Sequence, residues 1–373
     1  MKILVLNGGS SSFKCWFHEV REPLPVEAPH PLWETHFDWS GQEPVAEKLA
    51  PALEGKQPDV VGHRIVHGGK AYREPAMLSP AVRAAIAQEA EFAPAHNRFE
   101  LEAIEAVDRV LGSQIRQIAV FDTAFHASLE PPAYVYPTPY AWLNEGVRRY
   151  GFHGISYQYA TRRAAHMLDK PAESLRLVLC HLGSGCSLAA VRYGRSVDTT
   201  MGFTPLEGLM MGTRSGSLDP GILIYLLRHR GYGADQLDRI LNRESGLLGI
   251  SGLSGDMREI VQAAAAGDQR AQLAFDVYTH RLLREMGAMI GVLGGVDALV
   301  FTGGVGEHCA PLRERVCRQL GFLGLELDSR KNVQLRADQD VATPLSRVRV
   351  LVIHAQEEWE IARECYRCQT GCG

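Results

Sequence analysis

Residues 3–17 read Ile3-Leu4-Val5-Leu6-Asn7-Gly8-Gly9-Ser10-Ser11-Ser12-Phe13-Lys14-Cys15-Trp16-Phe17, and residues 175–191 read Leu175-Arg176-Leu177-Val178-Leu179-Cys180-His181-Leu182-Gly183-Ser184-Gly185-Cys186-Ser187-Leu188-Ala189-Ala190-Val191. In both, an apolar strand runs into a turn of small residues and returns as a second apolar strand. Glycines in such a turn let the backbone approach a ligand and expose its N–H donors. In the first copy the hydroxyls and Lys14 add donors and positive charge that suit phosphoryl oxygens. Taken singly, either copy also reads as an ordinary hairpin with a polar turn. Two copies, one opening each half of the chain, form a weak internal repeat and predict two related domains facing one nucleotide across a cleft.

The length of 373 residues favours two domains over one. A net charge of -4, from 39 Lys+Arg against 43 Asp+Glu, marks the molecule neither for nucleic acid nor for an anionic membrane. No apolar run approaches the roughly 18 residues of a membrane span, so a soluble, cytoplasmic protein is expected. Of the 8 cysteines, several fall inside apolar strands, where a reduced thiol packs as a small hydrophobe. The tail from Cys365 to Cys372 has near-metal spacing but only three thiols and no histidine close by, and reads as a loose end after a helix.

Between the two hairpins, residues 32–39 alternate like an edge strand within a weakly patterned stretch, 21–58. Residues 60–69 read as a buried strand and turn in which Arg64 stands in apolar company and needs a partner or a ligand. Helical periods at 80–92 and 99–111 flank a turn at 93–97; a strand at 118–121 then ends on Asp122. An amphipathic helix follows His153 and runs to Met167. Beyond the second hairpin, the glycine-rich connection 199–220 is too long and too polar for a mere linker. Helices are expected at 221–229, 234–244, 257–266 and 271–291. A third strand and glycine turn, 298–307, opens a helix at 311–320. The strand 348–353 leads through Gln356-Glu357-Glu358 into a terminal helix.

None of the three glycine turns is a Walker loop or a dinucleotide fingerprint, and Ser10-Ser11-Ser12 lacks the strand–elbow–helix setting of a hydrolase serine. Three glycine turns, each directly after an apolar strand and accompanied by Arg64, Asp122, His153 and Arg214, put phosphoryl transfer ahead of other chemistries. Arg214, between Gly212-Thr213 and Ser215-Gly216, suits a guanidinium reaching a phosphoryl group; a solvated loop arginine is the alternative. His153, like His63, His67 and His181, also reads as a satisfied core histidine. The arginines before it and the helix start after it resemble an anion site.

The runs 7–14, 63–69, 120–126, 148–156, 196–220, 254–258 and 300–307 resemble those of the acetate kinases, within the acetate/propionate kinase family, and the resemblance covers nearly the whole chain. It implies an α/β, two-lobed actin-like (ribonuclease H-like) duplicated fold with the active site in the cleft between lobes. Residues 1–124 with 359–373 form the N-terminal lobe and its closing helix, and 125–358 form the nucleotide-binding and dimerisation lobe. The implied enzyme is a homodimer using ATP and Mg²⁺ to phosphorylate acetate to acetyl phosphate, reversibly, by direct in-line transfer to the carboxylate. A propionate or other short-chain acyl kinase is the first alternative, and a catalytically weakened actin-like nucleotide-binding protein the second.

The same resemblance assigns roles by position. Asn7, Ser10, Ser12 and Lys14 match a phosphate and metal hairpin, and Glu357 a glutamate associated with magnesium. Arg64 and Arg214 match arginines that hold the carboxylate and the transferring phosphoryl group. His153 matches a histidine that stabilises the transition state, His96 a further active-site histidine and Asp122 a catalytic-site aspartate. His181, Gly183, Ser184 and Gly185, then Asp256, Met257 and Arg258, then Gly304, Val305 and Gly306, fall on the nucleotide side. Val66, Ala95, Phe152 and Pro205 match the acyl pocket.

The chain departs from the family's pattern with Ser184 for asparagine, Tyr157 for histidine, His308 for asparagine, His354-Ala355-Gln356 for Pro-Thr-Asn, and Ala95 for leucine. The last predicts a wider pocket and relaxed acyl specificity. The chemistry needs no general base, because a carboxylic acid of pKa about 4–5 is ionised at neutral pH. Asp122 is therefore expected to position a neighbour. Two arginines, a histidine and Mg²⁺ supply the charge that brings one anion up to another.

Overall fold

Lys2–Gly8 (β1) pairs antiparallel with Ser12–Glu19 (β2), Leu6 opposite Cys15 and Gly8 opposite Phe13, as the alternation of apolar residues predicts. The structure, a computed structural model, describes residues 1–8, 12–38, 45–89, 94–335 and 338–371, without the side chains of Ser12, Asp38 and residues 94–98. By its internal contacts the chain divides into one unit of Met1–Ala127, Phe152–Tyr159 and Gln356–Gly373 and another of Ser128–Gly151 and Ala160–Ala355. The sequence reading drew its boundaries after residues 124 and 358 and did not separate Phe152–Tyr159.

In the first unit, Trp33–Asp38 (β3), Val60–Ile65 (β4), Ala76–Met77 (β5) and Arg116–Phe121 (β6) complete a six-stranded sheet in the order β3-β2-β1-β4-β6-β5. β1, β4 and β6 run parallel and the other pairings are antiparallel. Successive side chains on β4 point to opposite faces. Val61 joins Leu4, Leu6 and Phe13 against Leu49 and Leu53 of the helix Val45–Leu53 and against Phe99 and Val107 of the helix Pro94–Leu111. Gly62 faces the C-terminal helix Glu357–Thr370, so closely that a Cβ there would sit 2.5 Å from Cys365 Sγ.

Three sequence expectations change in this unit. A helix at Val45–Leu53 lies inside the stretch read as unpatterned, its period blurred by Pro51. The turn expected at 93–97 is instead the start of the helix Pro94–Leu111, where a first-turn proline is favoured because its missing N–H has no helical partner. Cys365 and Cys368 lie within the terminal helix, the first buried and the second exposed, rather than on a loose end.

In the second unit, Arg176–Leu182 (β7), Cys186–Arg192 (β8), Arg195–Thr199 (β9), Ala298–Thr302 (β10), Gln339–Asp340 (β11) and Arg349–Val352 (β12) form a sheet in the order β11-β12-β10-β7-β8-β9. Its path is that of the first sheet: an antiparallel hairpin and third strand, two further parallel strands, and a two-residue antiparallel strand at the edge. The internal repeat is thus a duplicated α/β topology. β9 has no counterpart in the sequence reading. The long helix Gln269–Leu293 buries Phe275, Leu282, Met286 and Met289. Among the described residues, no helix is long and apolar enough to cross a membrane.

Candidate active site

The strand ends of the first unit gather buried charge. Arg64, near the end of β4, donates Nε–H and Nη2–H to Asp122 Oδ2 at 3.1 and 2.5 Å, and Nη1–H to the Gly8 carbonyl at 3.3 Å. Burial works against the charged guanidinium, but Asp122 and Glu357 hold its pKa above the ordinary value, so it stays cationic. Asp122 follows β6, wholly buried, its N–H donating to the Ile65 carbonyl at 2.9 Å. Burial raises its carboxyl; Arg64 draws it down and Glu357 pushes it up again. Glu100 accepts the Val66 N–H at 3.0 Å and is pushed up to about 8 by burial, in spite of Arg64.

Asn7, at the end of β1, donates from its amide to Glu357 Oε2 at 3.3 Å and to Glu358 Oε1 at 3.0 Å. Glu358 is buried, and both that burial and Glu357 raise its carboxyl. Glu357 and Glu358 open the terminal helix, where acidic residues suit the positive end of the helix dipole. Among the described residues no three His, Cys, Asp or Glu side chains gather into an all-protein metal cage. Magnesium does not require one: it keeps several waters and takes one or two carboxylates, and the hard oxygen donors of Glu357, Asn7 and Asp122 fit that chemistry.

His153 directly precedes the helix Gly154–Met167 and has φ of 59°, in the left-handed region that costs a non-glycine residue about 1 kcal/mol. Such a backbone persists where its surroundings over-determine it, as they do at functional sites. Here the fixing contact is Gly154, whose N–H donates to the Asp122 carbonyl at 2.8 Å. A Cβ at position 154 would lie 2.2 Å from that oxygen, so only glycine lets the helix start there. Phe152, buried, meets the ring of His67 edge-on at 5.6 Å, and its carbonyl lies 3.0 Å from His126 Nε2. Tyr157 is wholly buried beside the rings of Phe125 and His126.

Asn7, Arg64, Asp122, His153 and Glu357 are thus brought together within this unit, in which Val66 and Phe152 are buried. Lys14 is exposed on β2, its Nζ 5.5 Å from the Trp16 ring centroid. Ser10 and the side chains of Ser12, Ala95 and His96 lie outside the described residues. Glu100 went unremarked in the sequence, and Glu358 was named only on the way into the terminal helix. The available signal was an acid on the apolar face of a helix and the second member of an acidic pair.

In the second unit, Gly183, Ser184, Asp256, Met257, Arg258, Gly304 and Val305 line one pocket of about 660 Å³, joined by Gly212, Gly255, His308 and Cys309. His181, Gly185 and Gly306 do not line it. Gly212 and Gly255 pass back to back: a Cβ on the first would lie 2.8 Å from the carbonyl oxygen of the second. Asp256 caps the helix Met257–Ala265, accepting the Arg258 N–H at 2.8 Å, and pairs with the exposed Arg258 guanidinium at 2.6 Å. At the end of β10, Gly303 adopts φ of +76° and opens the short helix Gly303–His308. Glu307 in that helix accepts from the Ala355 N–H at 3.0 Å and pairs with His354 Nδ1 at 2.5 Å, tying two of the unusual positions to the third glycine turn. Burial works to raise the Glu307 carboxyl, but these partners hold it below the ordinary value. In the 199–220 connection, Arg214 Nη1 donates to the Pro205 carbonyl at 2.7 Å.

A family model described as the acetokinase family matches residues 47–363. An acetate kinase of Gloeobacter violaceus is 52% identical over an alignment of 401 positions, which covers 98% of this chain and 99% of that one. The crystal structure of an acetate kinase from Porphyromonas gingivalis aligns with a TM-score of 0.88 at 35% identity, over 99% of both chains. A propionate kinase from Francisella tularensis aligns with a TM-score of 0.88 at 34% identity, over 98% of this chain and 99% of that one.

Proposed function

The chain belongs to the acetokinase family, and on that footing we propose how its residues carry out the ATP-dependent phosphorylation of acetate to acetyl phosphate. A carboxylate oxygen of acetate forms the new bond to the γ-phosphorus in line with the departing oxygen. The bond to ADP breaks and ADP leaves with the electron pair. Because the acceptor is already an anion, no side chain removes a proton. Asp122 acts instead by fixing Arg64. Arg64, Arg214 and His153 neutralise the charge that builds as the two anions meet, with His96 as a further contributor.

The observation that carries this reading is the Arg64 guanidinium, fixed by Asp122 and the Gly8 carbonyl at the strand ends where Asn7 and Glu357 also stand. Asn7 and Glu357 would hold Mg²⁺, which when bound supplies charge neutralisation on the phosphoryl oxygens. Ser10, Ser12 and Lys14 with His181, Gly183, Ser184 and Gly185 contact the phosphates. Met257, Val305 and Gly304, on the walls of the 660 Å³ pocket, take the nucleoside, with Asp256, Arg258 and Gly306 supporting them.

To Val66, Ala95, Phe152 and Pro205 we assign recognition of the acyl group. The smaller Ala95 leads us to expect kcat/KM for propionate within about tenfold of that for acetate, since a methylene in an apolar pocket is worth about 1–3 kcal/mol. Trapping the acyl phosphate as a hydroxamate with acetate, propionate and butyrate, first with ATP and then with other phosphoryl donors, tests the reading. Absence of product with any carboxylate overturns it, and a preference for acetate above a hundredfold overturns the relaxed specificity alone.

The protein acts as a cytoplasmic homodimer in this reading. In the helix Pro220–His229 no residue is buried, and Ile222, Ile224, Tyr225 and Leu227 are each about half exposed. An apolar patch of that kind favours association. The seven described cysteines are all free thiols, in keeping with a reducing compartment.

A further inference from the structure

The 199–220 connection is held by a three-residue cluster outside the reaction; of its members the sequence reading singled out only Arg149, as one of the arginines of an anion site before His153. Arg149 Nη2 donates to Glu207 Oε1 at 2.7 Å, while its Nη1 donates to the carbonyls of Thr200 at 3.0 Å and Met201 at 2.9 Å. The Tyr136 hydroxyl donates to the other carboxyl oxygen, Glu207 Oε2, and accepts the Phe203 N–H at 2.9 Å. Burial raises the Tyr136 phenol well above its ordinary range, so it remains a donor at any working pH. Both oxygens of one carboxylate are therefore used to close the loop onto itself and onto residues 136 and 149.

The packing leaves no slack. A Cβ on Gly202 would lie 1.7 Å from Glu207 Oε2 and 2.1 Å from the Tyr136 hydroxyl. Gly208, with φ of +105°, turns the chain against the Thr200 carbonyl, and its N–H and carbonyl are tied to Ser217. Two residues before Glu207 stands Pro205, whose carbonyl receives Arg214 Nη1 at 2.7 Å. On the other side of the cluster, the Tyr150 N–H donates to the Gly202 carbonyl at 3.0 Å, on the segment that runs on to Phe152 and His153.

We propose that Glu207, clamped by Arg149 and Tyr136, is a positioning residue that sets Pro205 and Arg214 for the carboxylate substrate. The inference rests on the reading of Pro205 and Arg214 as substrate residues given above. Glu207 itself touches neither substrate: it fixes the loop backbone from which the Pro205 carbonyl orients the Arg214 guanidinium. Loss of the clamp should loosen the grip on acetate and largely spare the nucleotide pocket: of this connection only Gly212 and Thr213 line it, and their carbonyls are held from outside the clamp by the N–H groups of Leu248 and Ser245, each at 3.0 Å.

Steady-state kinetics on the full-length protein test this with Glu207→Gln and, as the milder change, Tyr136→Phe, each checked for an unchanged melting temperature. We expect kcat/KM for acetate to fall at least tenfold in Glu207→Gln and about threefold or more in Tyr136→Phe, with KM for ATP within twofold. Hydrogen exchange should quicken at residues 200–208. A kcat/KM for acetate within twofold of the parent, or equal losses toward both substrates, overturns the proposal. Arg214→Ala measured alongside separates the two levels. If that variant is crippled while Glu207→Gln is normal, the clamp fails and the substrate reading stands. If Arg214→Ala is itself near normal, both fail.

Discussion

At the end of β4 the first sheet carries Arg64, and at the matching place on β10 the second carries Thr302. The equivalence follows from register, since Leu6 pairs with His63 and Cys180 with Phe301. From Arg64 the first sheet builds a buried ion pair with Asp122 and a cluster of carboxylates. After Thr302 the second turns through Gly303 into a helix start and a pocket wall. One topology thus serves twice, once holding charge out of water and once turning backbone into the wall of a pocket. The difference lies in which side chain occupies that register position near the strand's end, not in the sheet.

The largest effects should come from the arginines, and they should differ in kind. Arg214→Ala is expected to lower turnover at least a hundredfold with the fold intact, in line with about 3 kcal/mol for a lost transition-state donor. Arg64→Ala should cost as much activity and in addition about 3–5 kcal/mol of stability, because it strands Asp122 buried and unpaired. Denaturant unfolding beside turnover measures both. Equal stability in the two variants would erase the contrast between a buried charged cluster and a loop cation.

A smaller effect probes the second unit. Gly304 has nothing within 4 Å of where its Cβ would stand, yet it lines the 660 Å³ pocket. Gly304→Leu should therefore fold normally, raise KM for ATP about tenfold and leave KM for acetate within twofold. A matched rise for both substrates would detach that pocket from the nucleotide.

The smallest concerns pH and the first unit. Burial lowers His18 and His63 to about 4, against about 6.5 unfolded. The stability they lend is full above the unfolded value and is lost as pH falls toward 4. Glu100 is raised to about 8; it keeps a proton that the unfolded chain has already released, so stability falls as pH rises through that value. Each group in its window contributes a slope of up to about 1.4 kcal/mol per pH unit. Glu100→Gln, which retains an acceptor for the Val66 N–H, should flatten the fall between pH 7 and 8 in chemical denaturation. An unchanged slope would remove Glu100 from that account.

The hairpins, the repeat and the glycine turns were legible because period-two alternation next to glycine is a local signal. The helix Val45–Leu53 was not, since Pro51 breaks its pattern and only packing against Phe99 and Val107 secures it. Arg64 announced that it needed a partner, but nothing local named Asp122, 58 residues away. Glu207 fell inside the 199–220 connection with nothing local to single it out. Its role depends on Tyr136 and Arg149, 71 and 58 residues distant, which no spacing rule brings together.

Both sheets end in two-residue strands, β5 at Ala76–Met77 and β11 at Gln339–Asp340. Edges that short present almost no row of open N–H and C=O groups to a passing chain, and so give little template for aggregation. At the opposite edges, β3 carries Glu34 and His36, and β9 carries Arg195 and Asp198. Charges there make pairing with a foreign strand costly. Colloidal stability in this chain is therefore written into its sheet margins, and lengthening β5 or neutralising β3 would be the direct way to lose it.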